Sequence, residues 1–168
     1  MDEAVIRKTI EEIVKQALDS KKTSNTERAS IDKITLGFAK KLIDEIEKRA
    51  FEIGVNAVIA VGGAEGNIIA VHSMDNAYIA SLDIAVNKVY TSVALKMPTK
   101  ALAKLAAPDG SLYGIQFTNN GRIIIFGGGE PLESNGKIIG GLGVSGGSAE
   151  QDTKLAEFGR DKFLELIK

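Results

Sequence analysis

The chain of 168 residues has no cysteine and a single histidine, His72. Without thiols there is no disulfide framework, no thiolate zinc site, no Cys-ligated cluster and no cysteine nucleophile. One imidazole excludes a multi-histidine metal site within one chain. Neither sign of charge dominates: 21 Lys+Arg face 22 Asp+Glu, for a net charge of −1. Neither nucleic acid nor membrane is therefore an expected partner. No apolar run approaches the roughly 18–20 residues that span a bilayer. The acidic start Met1-Asp2-Glu3 is also unlike a signal peptide, and the lack of disulfides fits a reducing, cytoplasmic setting. What is present is an ordinary soluble composition, 44% hydrophobic and 26% charged, with 18 glycines that cluster. That is enough chain for one domain with a substantial core.

The spacing divides the chain into three parts. In residues 1–18, Val5, Ile6, Ile10, Ile13, Val14, Ala17 and Leu18 form one apolar stripe at helical period, which predicts an amphipathic helix. Residues 19–29 are polar throughout and read as a linker. The main domain, 30–168, opens with a helix predicted from an N-cap at Ser30 to about Ile53 and closed by Gly54. Two β-branched runs, Val55–Val61 and Asn67–Met74, flank a glycine-rich turn. Helices are predicted over about Ala80–Lys96, burying Leu82, Ala85, Val86, Val89 and Val93, and over Thr99–Ala106. Asn120-Gly121 and Asn135-Gly136 each predict a hairpin, the first between Tyr113–Thr118 and Arg122–Phe126, the second between Pro131–Ser134 and Lys137–Val144. A last helix is predicted over Ala149–Ile167. Hairpins outnumber crossovers, so the fold class is α+β with a mostly antiparallel sheet.

Several local patterns resemble reactive motifs. Gly141-Leu142-Gly143-Val144-Ser145-Gly146 fits G-x-G-x-x-G, but only 22 residues follow, too few for the rest of a dinucleotide-binding unit. Gly143-Val144-Ser145-Gly146-Gly147 fits the nucleophile elbow G-x-S-x-G, yet His72 precedes the serine, so a Ser145–His72 hydrolase needs an unusual triad order. Gly127-Gly128-Gly129-Glu130-Pro131 lacks the Lys-Ser/Thr of a P-loop and reads either as a tight bend or as a ligand-facing loop. His72 is a candidate metal ligand, above all as an axial ligand to haem iron, against the plainer role of a hydrogen-bonded strand residue. Tyr90 is a second axial candidate through its phenolate. Asp75 with Asp83, and Glu150 with Asp152, are carboxylates that could bind a cation or serve as caps.

Four blocks in order carry a family resemblance. They are His72 to Ala77, Ser81 to Ser92, Gly127 to Leu132, and Gly140 to Asp152. Together they resemble the GlcG/HbpS-like family, which includes the C-terminal domain of PduO-type proteins, over about Ile31 to the chain end. Asp75, Lys88, Thr91, Gly127, Gly128, Gly129, Pro131, Gly143, Ser145, Gly146, Gly147 and Asp152 fall on its motif positions. The resemblance implies a profilin-like antiparallel sheet with helices on both faces, a homo-oligomer, and a link to haem binding, haem degradation or cobalamin metabolism. The adenosyltransferase domain of full-length PduO-type proteins is not matched. Residues 1–18 are similar to encapsulation peptides, which implies docking on shell or cargo proteins inside a bacterial microcompartment.

The expected function is therefore an oligomeric module for haem, or less directly a corrinoid, carried as microcompartment cargo. Its expected cofactor-binding set is His72, Tyr90, Asp75, Lys88, Gly127, Gly128 and Gly129, with His72 as the metal ligand. Two alternatives stay open. One is a small enzyme acting on haem or a short aldehyde or hydroxy-acid metabolite, using Ser145, Lys88 or Asp75. The other is an assembly protein with no small ligand.

Overall fold

A computed structural model describes residues 31–168; the predicted amphipathic helix over 1–18, the linker over 19–29 and the Ser30 cap lie outside the described residues. The first helix, α1 (Leu36–Glu52), starts later than the sequence suggests. Thr35 caps it, its hydroxyl oxygen accepting from the Phe38 N–H at 3.2 Å. Ala39, Leu42, Ile43, Ile46 and Ala50 form its buried stripe. At its end Gly54 takes φ +69°, and Val55 N–H returns to Ala50 O at 2.9 Å, the expected glycine stop.

Strands β1 (Val58–Gly63) and β2 (Ile68–Ser73) pair antiparallel. Helices α2 (Ser81–Ala94) and α3 (Thr99–Leu105) follow. Strands β3 (Gly129–Ser134) and β4 (Lys137–Ser145) form the hairpin predicted at Asn135-Gly136, both residues having positive φ. The chain closes with α4 (Ala149–Leu166). A reciprocal capping box starts that helix: Gln151 N–H bonds Ser148 Oγ at 3.2 Å, and Ser148 N–H bonds Gln151 Oε1 at 2.9 Å. The sheet order is β2-β1-β4-β3, and every neighbouring pair is antiparallel.

Helices cover both faces. Val58 and Ala60 of β1 pack against Ala85 and Val89 of α2. On the other face lie α1 and α4, joined by the edge-to-face pair Phe38–Phe163 with centroids 5.6 Å apart. The glycines of β4 set the spacing on the α2 side. A Cβ at Gly143 would overlap the Ala85 carbonyl oxygen, and one at Gly141 would stand 2.8 Å from Val93 Cγ2. The G-x-G pattern therefore lies inside a strand, where it lets a helix backbone approach the sheet.

Two expectations need correction. The Asn120-Gly121 hairpin does not form. Asn119, Asn120 and Gly121 all take positive φ, and the segment folds into short 3-10 turns at Ile115–Phe117 and Asn119–Gly121. The would-be second strand is held by α2: Ile124 N–H donates to Thr91 Oγ1 at 3.0 Å, and Ile123 is buried. A helix side chain thus takes the bond a strand partner would have made. Leu82, expected in the core, is 45% exposed, whereas Lys88, Thr91 and Ser92 of the same helix are buried.

Candidate functional site

The predicted site residues fall into three separate places. His72 lies on β2 opposite Ile59 of β1, which is opposite Val144 of β4. Directly paired residues share a face, so His72 points to the side covered by α1 and away from the Val58–Ala60 side covered by α2. There its Nδ1 is 2.8 Å from Glu47 Oε1 of α1, both side chains being about one-third exposed. A carboxylate oxygen accepts, so a hydrogen bond here takes its proton from Nδ1, and the tautomer that makes it leaves the Nε2 lone pair open. Glu47 also borders a groove of about 850 Å³ with Phe51, Ser73, Met74, Asp75 and Asn76. Phe51 is 81% exposed and supplies an apolar wall. Asp75 sits in the turn after β2, where Ala77 N–H bonds Met74 O and Asn76 takes φ +62°.

Lys88 belongs to a second place and is wholly buried. Its Nζ donates to Val144 O at 2.6 Å and to Asp152 Oδ2 at 2.9 Å, and it lies 5.0 Å from the Phe126 ring centroid. Asp152 Oδ1 accepts from Gly147 N–H at 2.9 Å. Burial pulls the ammonium below the ordinary lysine range, and the Asp152 carboxylate opposes that pull. Lys88 rides on α2 and Asp152 on α4, so this ion pair staples the helices of opposite faces around the end of the sheet.

The glycine run makes the staple possible. Gly127, Gly128 and Gly129 are all buried. A Cβ at Gly128, where φ is +110°, would stand 2.6 Å from Lys88 Nζ and 2.6 Å from Val144 O. One at Gly129 would meet Thr99 Cγ2 at 2.6 Å. Internal packing accounts for these glycines, and in this chain they stand with Lys88 and apart from His72.

Tyr90 is the third. It is on α2, with its ring under Arg122 at 3.7 Å from the guanidinium carbon and its hydroxyl accepting from Asn119 Nδ2 at 3.0 Å. His72 and Tyr90 therefore stand on opposite faces, and one chain cannot bring both to one ligand. The same geometry separates Ser145 from His72. Ser145 pairs with Val58, and its buried hydroxyl donates to Ser81 Oγ at 3.2 Å. Of the carboxylate pairs, Glu150 bonds Lys154 and Asp152 bonds Lys88, so they do not act together.

Sequence reasoning missed Glu47 and the Lys88–Asp152 partnership. The first needs a helix and a strand 25 residues apart to meet, and the second spans 64 residues. The presence of Lys88 and Asp152 on family motif positions was their only signal.

Comparison with known proteins identifies relatives of this chain. An uncharacterized 15.0 kDa protein in the dhaT-dhaS intergenic region of Citrobacter freundii is 47% identical over 133 residues, covering 79% of this chain and 94% of that protein. The corrinoid adenosyltransferase PduO of the same organism is 39% identical over 109 residues, 65% of this chain but only 32% of that protein. The chain thus spans about a third of PduO. Among solved structures, a PduOC:heme complex superposes with a TM-score of 0.74 at 32% identity, covering 77% of this chain and 94% of the other. A family model described as haem degrading protein HbpS-like matches residues 34–161, and the chain belongs to the HbpS-like family.

Proposed function

We propose that the chain is a haem-binding module with His72 as the axial ligand and Glu47 as the residue that orients it. The observation that carries this reading is the 2.8 Å contact between His72 Nδ1 and Glu47, which leaves Nε2 open as a ligand nitrogen, while Glu47 itself lines the neighbouring groove. The donor set fits the group. A neutral imidazole backed by a carboxylate is a standard axial arrangement, and the carboxylate strengthens the nitrogen as a ligand. Phe51 and Met74 offer apolar surface for a macrocycle. Haem, when bound, supplies a redox-active iron; the chain's own residues orient the imidazole, fix its tautomer and shield one side of the ring system.

β2 is an edge strand of the sheet, and the groove takes in Ser73 at its end. A second copy closing over that side would complete the shielding, so the functional unit is read as a homo-oligomer. Residues 1–18 are read as the segment that docks the module on shell or cargo proteins of a microcompartment, by burial of its apolar stripe. Relatives named for corrinoid chemistry make a corrinoid the competing tetrapyrrole.

The test is a haemin titration of the full chain, followed by absorbance, beside His72→Ala and Glu47→Gln. A saturable one-per-chain Soret band that is lost in His72→Ala and shifted in Glu47→Gln is expected. An identical band in His72→Ala would remove His72 as the ligand. Absence of any saturable band, with aquocobalamin binding instead, would transfer the site to a corrinoid.

A further inference from the structure

We propose that Arg122, held over Tyr90, anchors a binding site for a small organic carboxylate on the face of the sheet opposite His72. The proposal goes beyond the haem reading and does not depend on it. Arg122 is half-buried, and its guanidinium carbon lies 3.7 Å from the centroid of the Tyr90 ring. Its Nε donates to Asn87 Oδ1 at 3.4 Å. Asn87 and Tyr90 are three residues apart on α2, so one helix surface supplies both the platform and the acceptor. The stack sets the plane of the guanidinium, and the Asn87 bond sets its direction within that plane.

The other edge of the fork is left open. Among the described residues neither Nη1 nor Nη2 of Arg122 has a hydrogen-bond partner, and Arg122 makes no salt bridge. Neither Nη is a buried unpartnered atom, so solvent reaches both. The other described arginines are ion-paired, Arg49 to Glu52 at 2.8 Å and Arg160 to Glu130 at 3.2 Å and Asp161 at 3.0 Å. Arg122 is held instead by an amide and a phenol ring, which fix its position and leave its charge uncompensated. Two parallel N–H groups in a fixed plane match the two oxygens of a carboxylate.

The backbone also brings Arg122 to this place by an unusual route. Asn119, Asn120 and Gly121 take φ of 51°, 56° and 73° in succession. Two of these three are not glycine, and such conformations persist where the surroundings over-determine them. Here α2 does so: Asn119 Nδ2 donates to the Tyr90 hydroxyl at 3.0 Å, and Ile124 N–H to Thr91 Oγ1 at 3.0 Å. Between them Arg122 N–H donates to Asn119 O at 3.2 Å. A solvated surface arginine needs none of these restraints. Each one removes freedom that an anion would otherwise have to take away on binding, which is what makes a preorganised anchor effective.

The experiment titrates the full chain with sodium propionate, beside sodium phosphate and sodium chloride at matched ionic strength. Nuclear magnetic resonance follows the backbone amides of Asn119 to Ile124 and the arginine Nε–H signals, that of Arg122 being assigned by its loss in Arg122→Lys. Propionate should shift Arg122 and those amides saturably, leave Arg49 and Arg160 unmoved, and bind at least threefold more tightly than phosphate. Arg122→Lys keeps the charge but loses the fork, and should bind at least tenfold more weakly. Asn87→Ala keeps the fork but frees it to turn, and should bind at least threefold more weakly. No saturable shift, or the same shift with chloride, overturns the site. Equal affinity in Arg122→Lys overturns the fork as its anchor, and equal affinity in Asn87→Ala overturns the role of the restraint. Phosphate bound as tightly as propionate overturns the assignment to carboxylates. Haemin enters no arm, so failure of the haem reading and failure of this site are seen separately.

Discussion

Replacing Lys88 with Met should be among the most damaging single changes in the domain. The buried ammonium makes two hydrogen bonds, to the buried Val144 O and Asp152 Oδ2, and lies 5.0 Å from the Phe126 ring centroid. Met preserves most of the length but strands Asp152, which keeps only the Gly147 N–H for its buried carboxylate. Removing one partner of a buried ion pair costs about 3–5 kcal/mol, because the other charge stays desolvated. Domains of this size have about 5–15 kcal/mol in total, so a large share would go. With a urea dependence of about 2 kcal/mol per molar, the unfolding midpoint should fall by about 1.5–2.5 M at unchanged slope. Asp152→Asn tests the cause. Alone it should also destabilise, yet added to Lys88→Met it should cost much less, because it removes the stranded charge. The cycle should show a coupling of about 1–3 kcal/mol. A Lys88→Met midpoint within about 0.3 M of the native chain, or single effects that simply add, would refute the staple as a stabilising pair.

Two further expectations concern the frame around it. Gly143→Ala places a methyl against the Ala85 carbonyl oxygen, so α2 must move off the sheet; a loss of about 1–3 kcal/mol in urea unfolding is expected, and a neutral result would show that α2 has slack. Glu130 is buried on β3 beside Arg160, and burial pushes its carboxyl above the ordinary range despite the Arg160 guanidinium. A raised folded-state pKa means the folded chain binds the proton more tightly. That advantage is complete below the unfolded value of about 4.3 and is lost as pH rises through the raised folded value. The native chain should therefore lose stability relative to Glu130→Gln as pH climbs from 4 upward, a trend that paired unfolding curves at successive pH values will show or deny.

The contrast between the two Asn-Gly turns shows how far local chemistry reaches. At Asn135-Gly136 the flanking residues continue as strands, Ser134 pairs with Lys137, and the predicted hairpin stands. At Asn120-Gly121 the same dipeptide adopts the same positive φ, but the following segment finds Thr91 and the α2 surface more rewarding than its neighbour. A turn signal specifies a reversal of direction and leaves the partner unspecified. The buried face of α2 shows the same gap. Ala85 and Val89 fit the apolar period, whereas Lys88, expected from sequence to bind a cofactor, is found buried against Asp152 and Val144 O.

By itself the sequence determined the order and type of most elements, because apolar period, caps and glycine stops act over a few residues. It also determined the family, through four ordered blocks, and the scarcity of ligands that leaves His72 as the one imidazole. Tertiary structure alone decided which groups act together. It set His72 on the α1 side with Glu47 and Asp44, Tyr90 on the α2 side with Arg122, and Lys88 under the glycine run with Asp152. The physical reason is the alternation of strand side chains: each step of one residue along β1, β2 or β4 changes the face, and a face acquires its chemistry only when a distant helix packs against it.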